Sequence, residues 1–315
     1  MIPLDEQRAA DVLDGCGPFT LCANDPPWSS MAARVASPSR LILAGDVSLA
    51  HLDGLLAGEP DTALVIGLGG GSALDTAKYV AWKTGKRLFQ IPTITSVDAA
   101  FTDAIGVRVG QRVRYVGNIV PERVVLDIDL VRSAPARLNR AGVGDVLSCH
   151  TALYDWRLAT RRGIGRAWDD DAAALASTLL KGLAEHADEI RHVTADAVRW
   201  LASAYRHIGA RCAALRHSRF EEGSEHFFAY AYEHRTGRRP LHGEIVALGV
   251  LAMSTLQQND PDFVRDVIIA TGIAAHPFDV GMSRDDFIAT LHDVARYVAA
   301  EQLDYSCINE QGEDA

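Results

Sequence analysis

The sequence is short of the features that mark several protein classes. Its five cysteines (Cys16, Cys22, Cys149, Cys212 and Cys307) are irregularly spaced and form no C-x-x-C pair. That excludes a disulfide framework and suits a reducing compartment. No apolar run reaches the roughly 18 residues that a membrane-spanning helix needs. The opening segment MIPLDEQRAADVLDG has neither the cationic nor the apolar stretch of an export signal, so the expected location is the cytoplasm. Lysine is scarce, at Lys78, Lys83, Lys86 and Lys181 alone, and the formal net charge is −10. Such a surface argues against nucleic acid or an anionic membrane as a partner. Internal repeats and low-complexity linkers are missing too.

What is there is an ordinary globular composition over 315 residues, more than one hydrophobic core usually serves, so two domains are expected. In residues 1–130, short apolar runs alternate with helical patterns. Phe19–Ala23, Arg40–Ala44, Thr62–Ile66, Arg87–Ile91 and Arg123–Asp127 read as strands, and Ala73–Thr84 has helical spacing. Apolar strands separated by helices imply a parallel sheet covered on both faces, a Rossmann-like α/β domain. From about Leu130 the pattern changes. Val146–Thr160, Asp169–His186, Thr194–Leu215, Glu225–Tyr232 and Glu244–Gln257 carry a 3.6-residue period. Residues 131–315 are therefore expected to form an all-α domain.

Two groups of residues stand out chemically. Gly67, Gly69, Gly70, Gly71 and Ser72 lie between an apolar strand and a helix. Glycines there let a ligand approach the backbone, and the N–H groups of the helix start favour a phosphate or pyrophosphate. A tight turn uses the same glycines, but the longer string Gly69-Gly-Gly-Ser-Ala-Leu-Asp75-Thr-Ala-Lys78 is more specific. Asp25, at the end of an early strand, has the position of an acid that accepts from the adenosine ribose and repels a 2′-phosphate. Asp46, at the end of the next strand, is its rival, and either also serves as a turn residue.

The second group lies in the helical half. Asp145 closes Gly142-Val-Gly-Asp, His226 stands in Gly223-Ser-Glu-His, and His242 stands in Leu241-His-Gly-Glu. Singly, these are a helix cap and two polar histidines. Together, one carboxylate and two imidazoles suit a borderline divalent ion, and three protein ligands leave a coordination position for a substrate oxygen.

The two groups resemble one family. GGGS-x-x-D-x-A-K after a strand resembles the signature of the dehydroquinate synthase-like and iron-containing alcohol dehydrogenase superfamily. G-x-G-D, x-E-H-x-x-x-A and L-H-G-E-x-V-A-x-G resemble its metal-ligand motifs, in the same order. The resemblance implies that Gly69, Gly70, Gly71 and Ser72, with Asp75, bind the cofactor. It places Thr93, Thr95 and Ser96 of Pro92–Asp98 along the nicotinamide and Asp98 at the substrate hydroxyls. It makes Asp145, His226 and His242 the metal ligands, and it favours Asp25 and NAD, with NADP as the alternative. Zinc is the expected metal, with iron or nickel next. The chemistry implied is hydride transfer between an alcohol carbon and a nicotinamide, the ion polarising the oxygen.

Iron-type members carry a further His four residues after the Asp. Here that place is Cys149, either a soft addition to the shell or a buried thiol, and His150 follows. Glu225 and Glu244 are candidates to orient the imidazoles, or else solvated acids. Ser133-Ala-Pro-Ala-Arg-Leu138, Gly142–Ala159 and Ser218–His226 resemble the sn-glycerol-1-phosphate dehydrogenases in particular. Glycerol 1-phosphate and dihydroxyacetone phosphate are therefore the expected pair. Departures from that family are Val97 in place of His and Phe220-Glu221-Glu222 in place of Pro and small residues. Arg219 and His217 are the phosphate candidates, and two acids beside them would repel a phosphate if they faced it. The alternatives are another polyol or hydroxyketone, a sugar-phosphate cyclase of the same fold, and a non-catalytic nucleotide-binding scaffold. The partners expected are a small-molecule substrate and further copies of the chain.

Overall fold

The computed structural model describes residues 1–58 and 60–310. By internal contacts the chain divides into two units, Met1–Pro135 with Leu201–Ala213, and Ala136–Trp200 with the residues from Ala214 onward. Expectation put all of residues 131–315 in the second. Helix Ala195–Leu215 is legible from its period, but periodicity does not say which core it joins. Its middle belongs to the first unit: Tyr205 donates to the Thr95 carbonyl (2.9 Å) and Arg206 to the Ile2 carbonyl (2.7 Å).

The first unit has strands β1 (Leu4–Glu6), β2 (Phe19–Ala23), β3 (Arg40–Leu43), β4 (Leu64–Gly69), β5 (Arg87–Pro92), β6 (Ala104–Val109), β7 (Arg112–Asn118) and β8 (Arg123–Leu126). Six of them form one parallel sheet in the order β1-β8-β5-β4-β2-β3. β2 and β4 are buried along their whole length. Phe19, Leu21, Ile66 and Leu68 face one side with Leu13 and Trp28, while Cys22, Val65 and Leu88 face the other with Ala77 and Val80. Burial of each large apolar side chain contributes about 1.5–3 kcal/mol. Two-sided burial is what makes these strands continuous apolar runs rather than alternating ones.

The order of strands reverses between β2 and β4: β3 lies outside β2, and the later strands lie on the far side of β4. In open parallel sheets, ligands bind beyond the carboxyl ends of the strands at such a reversal. Gly69 sits there. β1 and the antiparallel hairpin β6–β7 were not expected from sequence; the hairpin turns through Gly110 and Gln111, both at positive φ (53° and 62°).

The second unit is all-helical among its described residues. Helices Ser224–Thr236 and His242–Gln257 are buried around most of their circumference, as expected of helices at the centre of a helical core. Around them lie Val143–Leu147, Cys149–Arg161 and Arg284–Glu301. No helix among the described residues is long and apolar enough to cross a membrane.

Candidate metal centre and glycine loop

In the helical unit three helices deliver one side chain each to a common point. Asp145 comes from Val143–Leu147, His226 from the first turn of Ser224–Thr236, and His242 is the first residue of His242–Gln257. One potential ligand atom from each lies within 4.8 Å of the other two, and His242 Nε2 is 3.5 Å from Asp145 Oδ1. The helices approach this closely because glycine meets glycine. A Cβ on Gly144 would lie 2.1 Å from the Gly243 carbonyl oxygen and 2.6 Å from its Cα. The glycines of G-x-G-D and H-G-E are thus the packing condition for the approach of Asp145 and His242 beside them.

The imidazole of His226 is fixed from behind. Its Nδ1–H donates to Glu225 Oε1 (2.9 Å), and the same oxygen accepts from Gly223 N (2.6 Å). Glu225 Oε2 accepts from Thr151 Oγ1 (2.7 Å). Glu225 is fully buried, so it is an orienting carboxylate and not a solvated acid. With Nδ1 committed, Nε2 is the nitrogen left for an ion. Burial works against the imidazolium, but the hydrogen bond and charge of Glu225, with the charges of Glu222 and Asp145, outweigh it and push the His226 pKa up to about 9. Asp145 and His226 are buried, whereas the His242 side chain is 32% exposed and marks the open side. Glu244, also buried, accepts both oxygens' worth of hydrogen bonds from Arg137 (2.6 and 2.7 Å).

One carboxylate and two imidazoles, one of them backed by a buried carboxylate, fit a divalent ion such as zinc or iron. Cys149 is a buried thiol outside this cluster; burial, then the charges of Glu221, Glu225 and Asp145, hold its pKa well above the ordinary value. His150 donates to the Asn259 carbonyl (2.6 Å).

Arg219, a substrate candidate from sequence, is buried. It donates to the Tyr305 carbonyl (2.8 Å) and lies 3.9 Å from Asp304. Glu222 accepts from Ser218 Oγ (2.6 Å) and Tyr230 OH (2.7 Å). His217 stacks edge-on against Trp156.

In the first unit, the glycine loop joins β4 to helix Gly71–Thr84, whose N-cap Gly70 contributes no side-chain cap. Gly69 has φ +152°, and a Cβ there would meet Asn24 Oδ1 at 2.3 Å. Asn24 is the residue that sequence reasoning missed. Its Oδ1 accepts from Gly70 N (2.8 Å), while its Nδ2 donates to Ser72 Oγ (2.9 Å) and the Ala44 carbonyl (3.1 Å). Its position, between the last strand residue and the acid Asp25, was the only available signal.

Pro92 pairs with Gly69, and Thr93 N donates to the Gly69 carbonyl (3.0 Å), which sets the buried Thr93, Thr95 and Ser96 beside the loop. Val97 packs on Gly71, and Asp98 opens a short 3₁₀ turn, half-buried. Asp75 lies 3.4 Å from Lys78, whose ammonium is fully buried and donates to Thr102 Oγ1 and the Ala104 carbonyl. These two signature residues tie the loop's helix to β6. Asp25 is exposed and accepts from Ser29 N (3.1 Å) and Ser29 Oγ, capping helix Pro27–Met31; Asp46 accepts from Ser48.

Residues 42–135 match the iron-containing alcohol dehydrogenase family. The chain is 34% identical to the glycerol-1-phosphate dehydrogenase (NAD(P)+) of Hyperthermus butylicus over 79% of its own length and 70% of that protein's. It is 30% identical to the enzyme of the same name from Aeropyrum pernix, again over 79% and 70%. A probable glycerol dehydrogenase from Sinorhizobium meliloti shares the fold at a TM-score of 0.70 and 22% identity, covering 94% of this chain and 87% of the other. An iron-containing alcohol dehydrogenase from Corynebacterium glutamicum does so at 0.68 and 16% identity, covering 98% and 89%. The motifs, the fold and the relatives agree, and the chain is a dehydrogenase of the iron-containing alcohol dehydrogenase superfamily, in the family of the glycerol-1-phosphate dehydrogenases.

Proposed function

We propose that the chain interconverts a small polyol phosphate and its ketone with NAD(P) and a divalent ion, the pair being sn-glycerol 1-phosphate and dihydroxyacetone phosphate. The observation that carries this reading is the convergence of Asp145, His226 and His242, in a chain whose relatives at 30–34% identity bear that activity in their names. When bound, the ion supplies Lewis-acid polarisation of the substrate oxygen and the nicotinamide supplies or takes up hydride.

The chain's own part is placement. Asp145, His226 and His242 hold the ion, and Glu225 keeps His226 in one tautomer and orientation. Gly69, Gly70, Gly71 and Ser72 cradle the pyrophosphate at the uncapped helix start, in a conformation braced by Asn24. Thr93, Thr95 and Ser96 line the nicotinamide side, and Asp98 faces the substrate hydroxyls. Asp75 supports the same helix through Lys78. Zinc is the metal that we assign, since the mixed nitrogen and oxygen set suits a borderline ion. NAD is preferred through Asp25, with NADP as the alternative. We place the enzyme in the cytoplasm as a homo-oligomer, which light scattering on the purified protein tests.

A second reading, a non-phosphorylated hydroxy compound, is favoured by Arg219 being committed to Tyr305 and Asp304. A panel of polyols, polyol phosphates and matching ketones, with NADH and NADPH, separates the two. Fastest turnover on dihydroxyacetone phosphate supports the first reading. Turnover restricted to unphosphorylated compounds supports the second, and phosphate release without net change in nicotinamide redox state points to a cyclase.

A further inference from the structure

The string Ser133-Ala-Pro-Ala-Arg137-Leu138 stood out in the sequence, and the reaction makes no use of it. Its arginine lies in helix Ala136–Arg140 of the helical unit. Arg137 Nε donates to Glu244 Oε1 (2.6 Å) and its NH2 group to Glu244 Oε2 (2.7 Å), a bidentate fork. The same NH2 group reaches the Asp279 carbonyl (2.6 Å). One guanidinium therefore joins three segments that are far apart in sequence. Arg137, Leu241, Glu244 and Asp279 together line a surface pocket of about 420 Å³; the Arg137 side chain is 56% exposed and that of Glu244 1%.

What this fork fixes is the start of the helix that begins with His242. A glutamate at the third helical position can fold back onto the backbone N–H of the N-cap, here Leu241. Glu244 turns outward to Arg137 instead. His226 is held by its own carboxylate, Glu225, and Asp145 is enclosed by packing. His242 is the one of the three whose side chain is partly open, at the first position of its helix.

We propose that Arg137 is a positioning residue for the metal centre: through Glu244 it pins the first helical turn that aims His242 at Asp145 and His226. This rests on the metal assignment of the preceding section. A fork that works through geometry is not replaced by charge alone. Lysine offers a single point charge and spans neither both carboxylate oxygens nor the Asp279 carbonyl.

The test is the zinc dissociation constant of the purified full chain, measured by competition with a chromophoric chelator, together with the thermal midpoint of the metal-free protein. The variants are Arg137→Ala, Arg137→Lys and Glu244→Gln, with Arg162→Ala as control. Arg162 makes an equivalent fork in the same unit, to Glu310. The expected result is zinc affinity lowered about 10- to 100-fold in Arg137→Ala, lowered less in Arg137→Lys and Glu244→Gln, and unchanged in Arg162→Ala. Unchanged zinc affinity in Arg137→Ala overturns the proposal while leaving the metal assignment intact. Equal losses in Arg137→Ala and Arg162→Ala overturn it as well, since general loosening then explains both. Wild-type protein that binds no zinc or other divalent ion overturns the metal assignment itself.

Discussion

Replacing Gly144 by alanine would strike the point where the helices carrying Asp145 and His242, the proposed metal ligands, touch. The new Cβ would lie 2.1 Å from the carbonyl oxygen of Gly243 and 2.6 Å from its Cα. Both are backbone atoms of a buried helix, so no side chain can swing aside. Ordinary contact requires the backbones to part by at least about 1 Å, a distance set by van der Waals radii. Asp145 and His242 adjoin the two glycines and separate with them from their 3.5 Å approach. Metal-ligand distances tolerate only about ±0.2 Å, so the displacement exceeds what the site can absorb. Overpacking of this kind also costs about 1–3 kcal/mol of stability. The expected outcome is a folded but less stable protein, with zinc affinity lowered by at least the 10- to 100-fold that loss of ligand orientation brings. Chelator competition measures the affinity, and thermal unfolding of the metal-free protein measures the stability. Wild-type zinc affinity in Gly144→Ala would refute the reasoning, because the ligands would then not depend on this contact.

Three further substitutions separate the parts of the site. Glu225→Gln leaves the shape of the side chain but removes its charge and turns one of its two acceptor oxygens into a donor, so it can no longer accept from His226 and Gly223 on one oxygen and from Thr151 on the other; zinc affinity should fall about 10- to 100-fold, read by the same competition assay. Asn24→Ala removes the bonds that brace Gly70 and Ser72, and should weaken NAD(P)H binding about tenfold, the worth of roughly one hydrogen bond. Fluorescence titration follows that loss, and zinc affinity should stay unchanged. Arg219→Ala releases the Tyr305 carbonyl, so it should cost about 1–3 kcal/mol in unfolding free energy while leaving the KM for the phosphorylated substrate unmoved. A large rise in KM without destabilisation would return Arg219 to the substrate.

How far the sequence led depends on whether a property is local. β2, β4, β5 and β8 were legible because burial on both faces turns them into continuous apolar runs. The hairpin β6–β7 was not, because Arg108, Arg112 and Arg114 and the glycines Gly106 and Gly117 dilute its apolar alternation. Asp145, His226 and His242 were legible through their flanking motifs, and the glycines of those motifs have the packing role described above. What was illegible is direction and distant pairing. Arg219 lies close in sequence to a ligand, yet its guanidinium serves Tyr305, 86 residues on. Glu244 was a candidate to orient a ligand, but nothing local names Arg137, 107 residues away, as its partner. Asp25 had the position of a ribose acid, and its carboxylate also caps the short helix opened by Pro26-Pro27.

The most direct measurement is reduction of dihydroxyacetone phosphate by NADH or NADPH, with the protein as purified, stripped of metal, and reloaded with zinc. Oxidation of the nicotinamide should be seen in the first state, lost on stripping and restored by zinc, with metal content followed by elemental analysis. Undiminished turnover in protein shown to be metal-free would contradict an enzyme built on Asp145, His226 and His242.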